Sequence, residues 1–254
     1  MKLDSHSMTV LEHPQSVQAI FFDAGFTLLA PHPSVPELVT SLCASAGVSV
    51  DPACLQARLD EAERVLMAEW KVQPELWSDN AAIRRVWELY FTSLMRGCLG
   101  ELPEARFAEI LTRVVDGYEH AGSYALYPDV EPVLATLRAH QLKLGIISDW
   151  GVHLGLIMRH HDLVPYFDIS VISAAVRHAK PDPALFREAL MRADVIPDYA
   201  VHIGDSYLLD ILGAKAAGIT GILLDRSNRY EGVALDCPVV RDLYGLLDLL
   251  EISS

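Results

Sequence analysis

The sequence predicts an α/β protein, a doubly wound parallel sheet with an all-helical segment inserted after its first strand. Three observations carry this. Short β-branched and aromatic runs alternate with amphipathic helical segments through the second half of the chain, the alternation that parallel strands need for their crossovers. A single run of the same kind stands alone near the start, ahead of a long stretch of purely helical spacing. Several of the runs stop abruptly at acidic or hydroxyl residues, the end at which parallel sheets bind ligands.

In order along the chain, residues 1–15 are polar and unpatterned and read as a loose leader. Residues 17–22 form a buried strand that stops at Asp23-Ala24-Gly25. Pro31, Pro33 and Pro36 mark a hinge. Asp51-Pro52 opens a helix whose Leu55, Leu59, Ala62, Leu66 and Trp70 recur at three- and four-residue steps. Asp79 opens another, carrying Ile83, Val86, Trp87, Tyr90, Phe91 and Leu94 until Gly97, and a third follows Pro103 through Phe107, Ile110 and Val114. Trp70, Trp77 and Trp87 read as packing residues of this segment. The helical segment spans 32–124; residues 16–31 and 125–254 make the core. There, 130–140 is helical, 142–147 is a strand ending at Ser148-Asp149, and 167–172 is a further strand. Helix 185–192, strand 200–203 ending at Gly204-Asp205, helix 210–217 and strand 219–224 follow, with helical spacing again over 242–250.

Composition narrows the classes of function. With 254 residues, 51% hydrophobic, the chain is globular and not disordered. Its 20 Lys and Arg against 34 Asp and Glu leave a net charge of −14, which repels nucleic-acid backbones and anionic lipid. No apolar run approaches the roughly 18 to 20 residues of a membrane span, and no secretory signal is readable, so a cytoplasmic location is expected. The 4 cysteines, Cys43, Cys54, Cys98 and Cys237, show no metal-binding spacing and read as buried free thiols. Nothing in the pattern sets an oligomeric state.

Four polar clusters fall at strand ends or in the loops that follow: Asp23 with Thr27, Ser148, Lys180, and Asp205 with Asp210. Any one alone is an ordinary turn or cap residue. Together, on one edge of a sheet, two acids hold a divalent cation, a lysine and a hydroxyl hold phosphate oxygens, and an ionised acid attacks. The stretch 21–28 (Phe-Phe-Asp-Ala-Gly-Phe-Thr-Leu), then Ile146-Ile147-Ser148, Lys180-Pro181-Asp182-Pro183, and Ile203-Gly204-Asp205 with Asp210 resemble, in order, the motifs of the haloacid dehalogenase-like hydrolase superfamily. The helical insertion is similar to the α-helical cap of one of its subgroups.

The resemblance implies a Rossmann-like core and a Mg²⁺-dependent, phosphatase-like hydrolase of a small phosphorylated metabolite. Asp23 would attack phosphorus and form an aspartyl-phosphate, being ionised at neutral pH with a reference pKa of about 4. Asp23, the Gly25 carbonyl and Asp205 would hold Mg²⁺; Ser148, Thr27 and Lys180 would bind the phosphoryl group, and Asp210 would steady Lys180 or the metal shell.

One position departs from the family's phosphatases, which carry a second aspartate two residues after the nucleophile to protonate the leaving alkoxide and then activate water. Here that residue is Gly25. General acid–base help is worth about 10²- to 10⁴-fold, so alkyl phosphates should turn over slowly unless Asp149 or the His160-His161 pair substitutes, while acyl phosphates and phenolates suffer less. Two alternatives stay open. Phosphonoacetaldehyde hydrolases carry a small residue at this position and a cap lysine that forms a Schiff base, and Lys71 is the one lysine between Lys2 and Lys143. A protein that binds phosphate or a partner with little turnover is the other. Haloalkanoic acid dehalogenases, which need no metal, are less similar at Gly204-Asp205.

Overall fold

The computed structural model describes residues 9–253. A short helix α1 (Thr9–Glu12) leads into β1 (Ala19–Phe22), the strand around which the sheet is built. The other strands are β4 (Lys143–Ser148), β5 (Ile169–Ile172), β6 (Ala200–Gly204), β7 (Thr220–Leu224) and β8 (Val239–Val240), in the order β5-β4-β1-β6-β7-β8. Every neighbouring pair in it is parallel. The chain therefore steps outward from β1 through β4 to β5, then returns to the other side of β1 with β6. That reversal opens a crevice beyond the carboxyl end of β1. Phe22 is level with Ile146 of β4 and Ile203 of β6, so Asp23, Ser148 and Asp205 leave the sheet at nearly the same height.

The period of two along β1 divides the core. Ile20 and Phe22 pack into the layer that holds α6 (Val130–Ala139), α7 (Leu154–His160) and α11 (Tyr244–Leu249). Ala19 and Phe21 face α9 (Pro183–Ala193) and α10 (Leu212–Ala216), where Phe186, Ala189 and Ala214 are buried. The short α8 (Ser173–Val176) follows β5.

Between β2 (Leu29–Pro31) and β3 (Tyr124–Leu126) the chain is helical: α2 (Val35–Ser45), α3 (Pro52–Val72), α4 (Asn80–Met95) and α5 (Glu104–Tyr118). Asp51 Oδ1 accepts the Ala53 amide at 3.0 Å, and Asp79 Oδ1 accepts those of Ala81 and Ala82 at 2.9 and 3.1 Å, so two of these helices are capped where the sequence places their starts.

The structure corrects several expectations. Cys54 and Cys98 are joined in a disulfide, with Cα atoms 5.7 Å apart; the free thiols are Cys43 and Cys237. Antiparallel packing of α3 on α4 brings together two positions 44 residues apart, which no local spacing announces. β2 and β3 form an unexpected antiparallel ribbon, Leu29 opposite Leu126 and Pro31 opposite Tyr124, too short to show alternation. The helix expected from 210 begins earlier, with a π-helical turn at Tyr207–Ile211. The leader is helical at α1, and residues 1–8 lie outside the described residues. Among the described residues, no helix is long and apolar enough to cross a membrane.

Candidate active site

Lys180 organises the site. It is only 2% exposed, and its Nζ donates to Asp23 Oδ1 at 2.7 Å and to Asp210 Oδ1 at 2.6 Å. Ser148, at the end of β4, donates its hydroxyl to the same Asp23 oxygen at 3.4 Å. Asp210 is fully engaged: Oδ1 also meets His202 Nε2 at 2.9 Å, and Oδ2 accepts the Ser206 amide at 3.0 Å. A Cβ at position 204 would stand 2.2 Å from Asp210 Cγ, so only glycine lets that carboxylate lie across the end of β6.

The charges follow from this geometry. Burial opposes ionisation of Asp210, yet Lys180 and the His202 hydrogen bond outweigh it and hold the carboxyl well below its usual range. Burial also disfavours the ammonium of Lys180, but Asp210 and Asp23 overcome that and keep it charged. Asp23 is raised, chiefly by burial, and Asp205 is pushed up to about 7 by burial and by the charges of Asp23 and Asp210. Carboxylate oxygens of Asp23, Asp205 and Asp210 lie within 4.8 Å of one another. One buried ammonium does not balance this much negative charge, and the donors are all oxygen, so the cluster fits a hard divalent cation such as Mg²⁺. With the Asp210 oxygens occupied, Asp23 and Asp205 are the carboxylates left to hold it. The Arg229 guanidinium stands 3.8 Å from Asp205.

The remaining candidates are placed differently. Thr27 is completely buried and its hydroxyl has no partner; its carbonyl accepts from Arg226, which also forks onto Asp129 and stacks on Tyr127. Gly25 lies under the indole of Trp150: a Cβ there would be 3.1 Å from Trp150 Cζ3. Asp149 accepts the Lys180 amide on Oδ1 at 2.9 Å, its Oδ2 is buried without a partner, and burial pushes it up to about 7. His160 and His161 stack edge-to-face on each other and bond to none of the site carboxylates. Lys71 belongs to the last turn of α3, and its side chain lies outside the described residues.

The helical segment touches the core beside this site. Asn80 Oδ1 accepts the Val152 amide at 3.0 Å, Ser173 Oγ donates to the Trp77 carbonyl, and Arg177 pairs with Asp79. An aromatic column of Trp77, Trp87, Tyr118, Tyr124 and Trp150, with successive centroids 4.8 to 5.7 Å apart, runs from the helices to the end of β4. Sequence reasoning missed Trp150 and His202. His202 carried one signal, a polar residue inside an otherwise apolar strand; Trp150 carried none, because its position over Gly25 depends on the loop after β4.

Residues 17–218 match the haloacid dehalogenase-like hydrolase family. The chain is 28% identical to haloacid dehalogenase-like hydrolase domain-containing protein 3 of Mus musculus, over 96% of this chain and 99% of that protein. It is 29% identical to a phosphoserine phosphatase of Thermus thermophilus, over 85% and 91%. The crystal structure of a HAD phosphatase from Thermococcus onnurineus superposes with a TM-score of 0.61 at 27% identity, covering 93% of this chain and 99% of that one. With the match running from β1 past α10 and a carboxylate cluster at the crevice of the sheet, this chain belongs to the haloacid dehalogenase-like hydrolase family.

Proposed function

We propose that the protein is a Mg²⁺-dependent phosphohydrolase of small phosphorylated metabolites that works through an aspartyl-phosphate on Asp23. The observation that carries this is the placement of Asp23 at the end of the central strand, bonded to Lys180 and within 4.8 Å of Asp205. Phosphatases among the relatives support it.

In this reading an ionised Asp23 oxygen attacks phosphorus while Lys180 and Ser148, both already directed at Asp23, take the non-bridging oxygens; Thr27 contributes from the same loop. Asp210 keeps Lys180 charged and aimed, with His202 fixing Asp210 from behind. Asp23, Asp205 and the Gly25 carbonyl would hold Mg²⁺, which supplies Lewis-acid neutralisation of the anionic phosphoryl group. The helical segment, 32–124, acts as a cap that shields the site from bulk water and contacts the substrate. Carbon–phosphorus cleavage would need an amine free to form a Schiff base. Among the described residues, the lysine amine at Asp23 is that of Lys180, which is ion-paired to two aspartates.

The test is phosphate release from aryl phosphates with Mg²⁺ and with EDTA. Activity that needs the metal and disappears in Asp23→Asn is expected; an Asp23→Asn variant as active as wild type would sink the assignment.

A further inference from the structure

The residue that stands where a second acid would stand is an indole. Trp150 covers Gly25 so closely that a Cβ there would meet Cζ3 at 3.1 Å, and the ring is held from three sides. Its amide donates to Ser173 Oγ at 3.1 Å, its Nε1 donates to His153 Nε2 at 2.9 Å, and its ring meets Tyr124 edge-on at 5.4 Å, the foot of the aromatic column that comes down from the helices. The imidazole nitrogen nearest the ring is thus spent as an acceptor of the indole N–H, and burial keeps His153 neutral. Asp149 has Oδ1 tied to the Lys180 amide, and its Oδ2, although without a partner, is buried away from water. The surface nearest to a side chain at position 25 is therefore the apolar face of Trp150, which has no proton to give and which an aspartate there would have to displace by a few tenths of an ångström.

We propose that Trp150 is a specificity-determining residue that restricts the site to phosphoryl donors whose leaving group departs as a stabilised anion, namely acyl and aryl phosphates. The proposal rests on the phosphohydrolase reading of Asp23. In the first step an Asp23 oxygen bonds to phosphorus as the bond from phosphorus to the bridging oxygen breaks, and the electron pair leaves with a carboxylate or phenolate that needs no proton. In the second, water attacks the aspartyl-phosphate dianion, the bond from phosphorus to Asp23 breaks, and both water protons stay on the released dihydrogen phosphate. Without a base beside the attacking water, the second step lags and the phosphoenzyme accumulates.

The experiment compares acetyl phosphate, 4-nitrophenyl phosphate, phenyl phosphate and glycerol phosphate as donors with Mg²⁺ present, and weighs the intact protein after acid quench. The expected result is a kcat/KM for the alkyl ester about 10²- to 10⁴-fold below that for the best acyl or aryl donor, with an adduct of one phosphoryl group in wild type that Asp23→Asn lacks. Gly25→Asp alone should leave that gap in place, because its side chain runs into the indole, whereas Gly25→Asp with Trp150→Leu should narrow it. If the double variant does not fold, as a thermal melt would show, Gly25→Asp with the smaller change Trp150→Phe takes its place, and a gap left unchanged in a folded double variant overturns the role of Trp150. Equal turnover of alkyl and aryl donors without an adduct overturns the proposal and leaves the phosphohydrolase reading standing. No phosphate released from any donor overturns both.

Discussion

Lys180 makes two ion pairs in a place from which water is almost excluded. Replacing it with methionine keeps the volume and leaves Asp23 facing Asp210 with no charge between them, and breaking a buried pair in this way costs about 3 to 5 kcal/mol. Urea denaturation of Lys180→Met should show that loss, and adding Mg²⁺ should recover part of it. Asp149 gives a pH signature. Its carboxyl is raised in the folded protein, so the favourable contribution is intact below the unfolded value near 3.8 and is lost as pH rises through about 7. Asp149→Asn keeps the acceptor for the Lys180 amide and cannot ionise; its stability should fall less than that of wild type between pH 5 and 8, by on the order of a few kcal/mol at about 1.4 kcal/mol per unit. The convergence of Asp23, Ser148, Lys180 and Asp210 could be anticipated because Asp23 and Ser148 close strands, Lys180 and Asp210 lie in the segments that follow strands, and all belong to one edge of a parallel sheet. The buried hydroxyl of Thr27 and the indole over Gly25 could not, since each depends on loop conformation rather than on strand order.

At the scale of elements, strands buried on both faces were the most legible, and helix starts were marked by Asp51 and Asp79. What escaped depended on contacts distant in sequence: the β2–β3 ribbon, the two-residue β8 and the Cys54–Cys98 bond. That bond ties the start of α3 to the turn after α4, and cross-links of this kind stabilise by about 2 to 4 kcal/mol through the loop they close. Cys54→Ser with Cys98→Ser should lower the denaturation midpoint accordingly, and a reducing agent should shift wild type but not the double variant.

Over the whole molecule, a net charge of −14 opposes the approach of an anionic substrate. Salt screens that repulsion beyond a Debye length of about 8 Å at physiological ionic strength, so kcat/KM for an aryl phosphate should rise as sodium chloride is added at constant Mg²⁺. A fall with salt would mean that local cations such as Arg229 dominate encounter. The ribbon of β2 and β3 has a consequence for how such chains diversify. The polypeptide leaves the core at Pro31 and comes back at Tyr124, directly across one strand pair, so everything between is a cassette whose two junctions already touch. Swapping the cassette for that of a relative, or for a tight hairpin turn, leaves Asp23, Ser148, Lys180, Asp205 and Asp210 on untouched backbone, so the insertion can change length and sequence while the carboxylate cluster stays where β1, β4 and β6 put it.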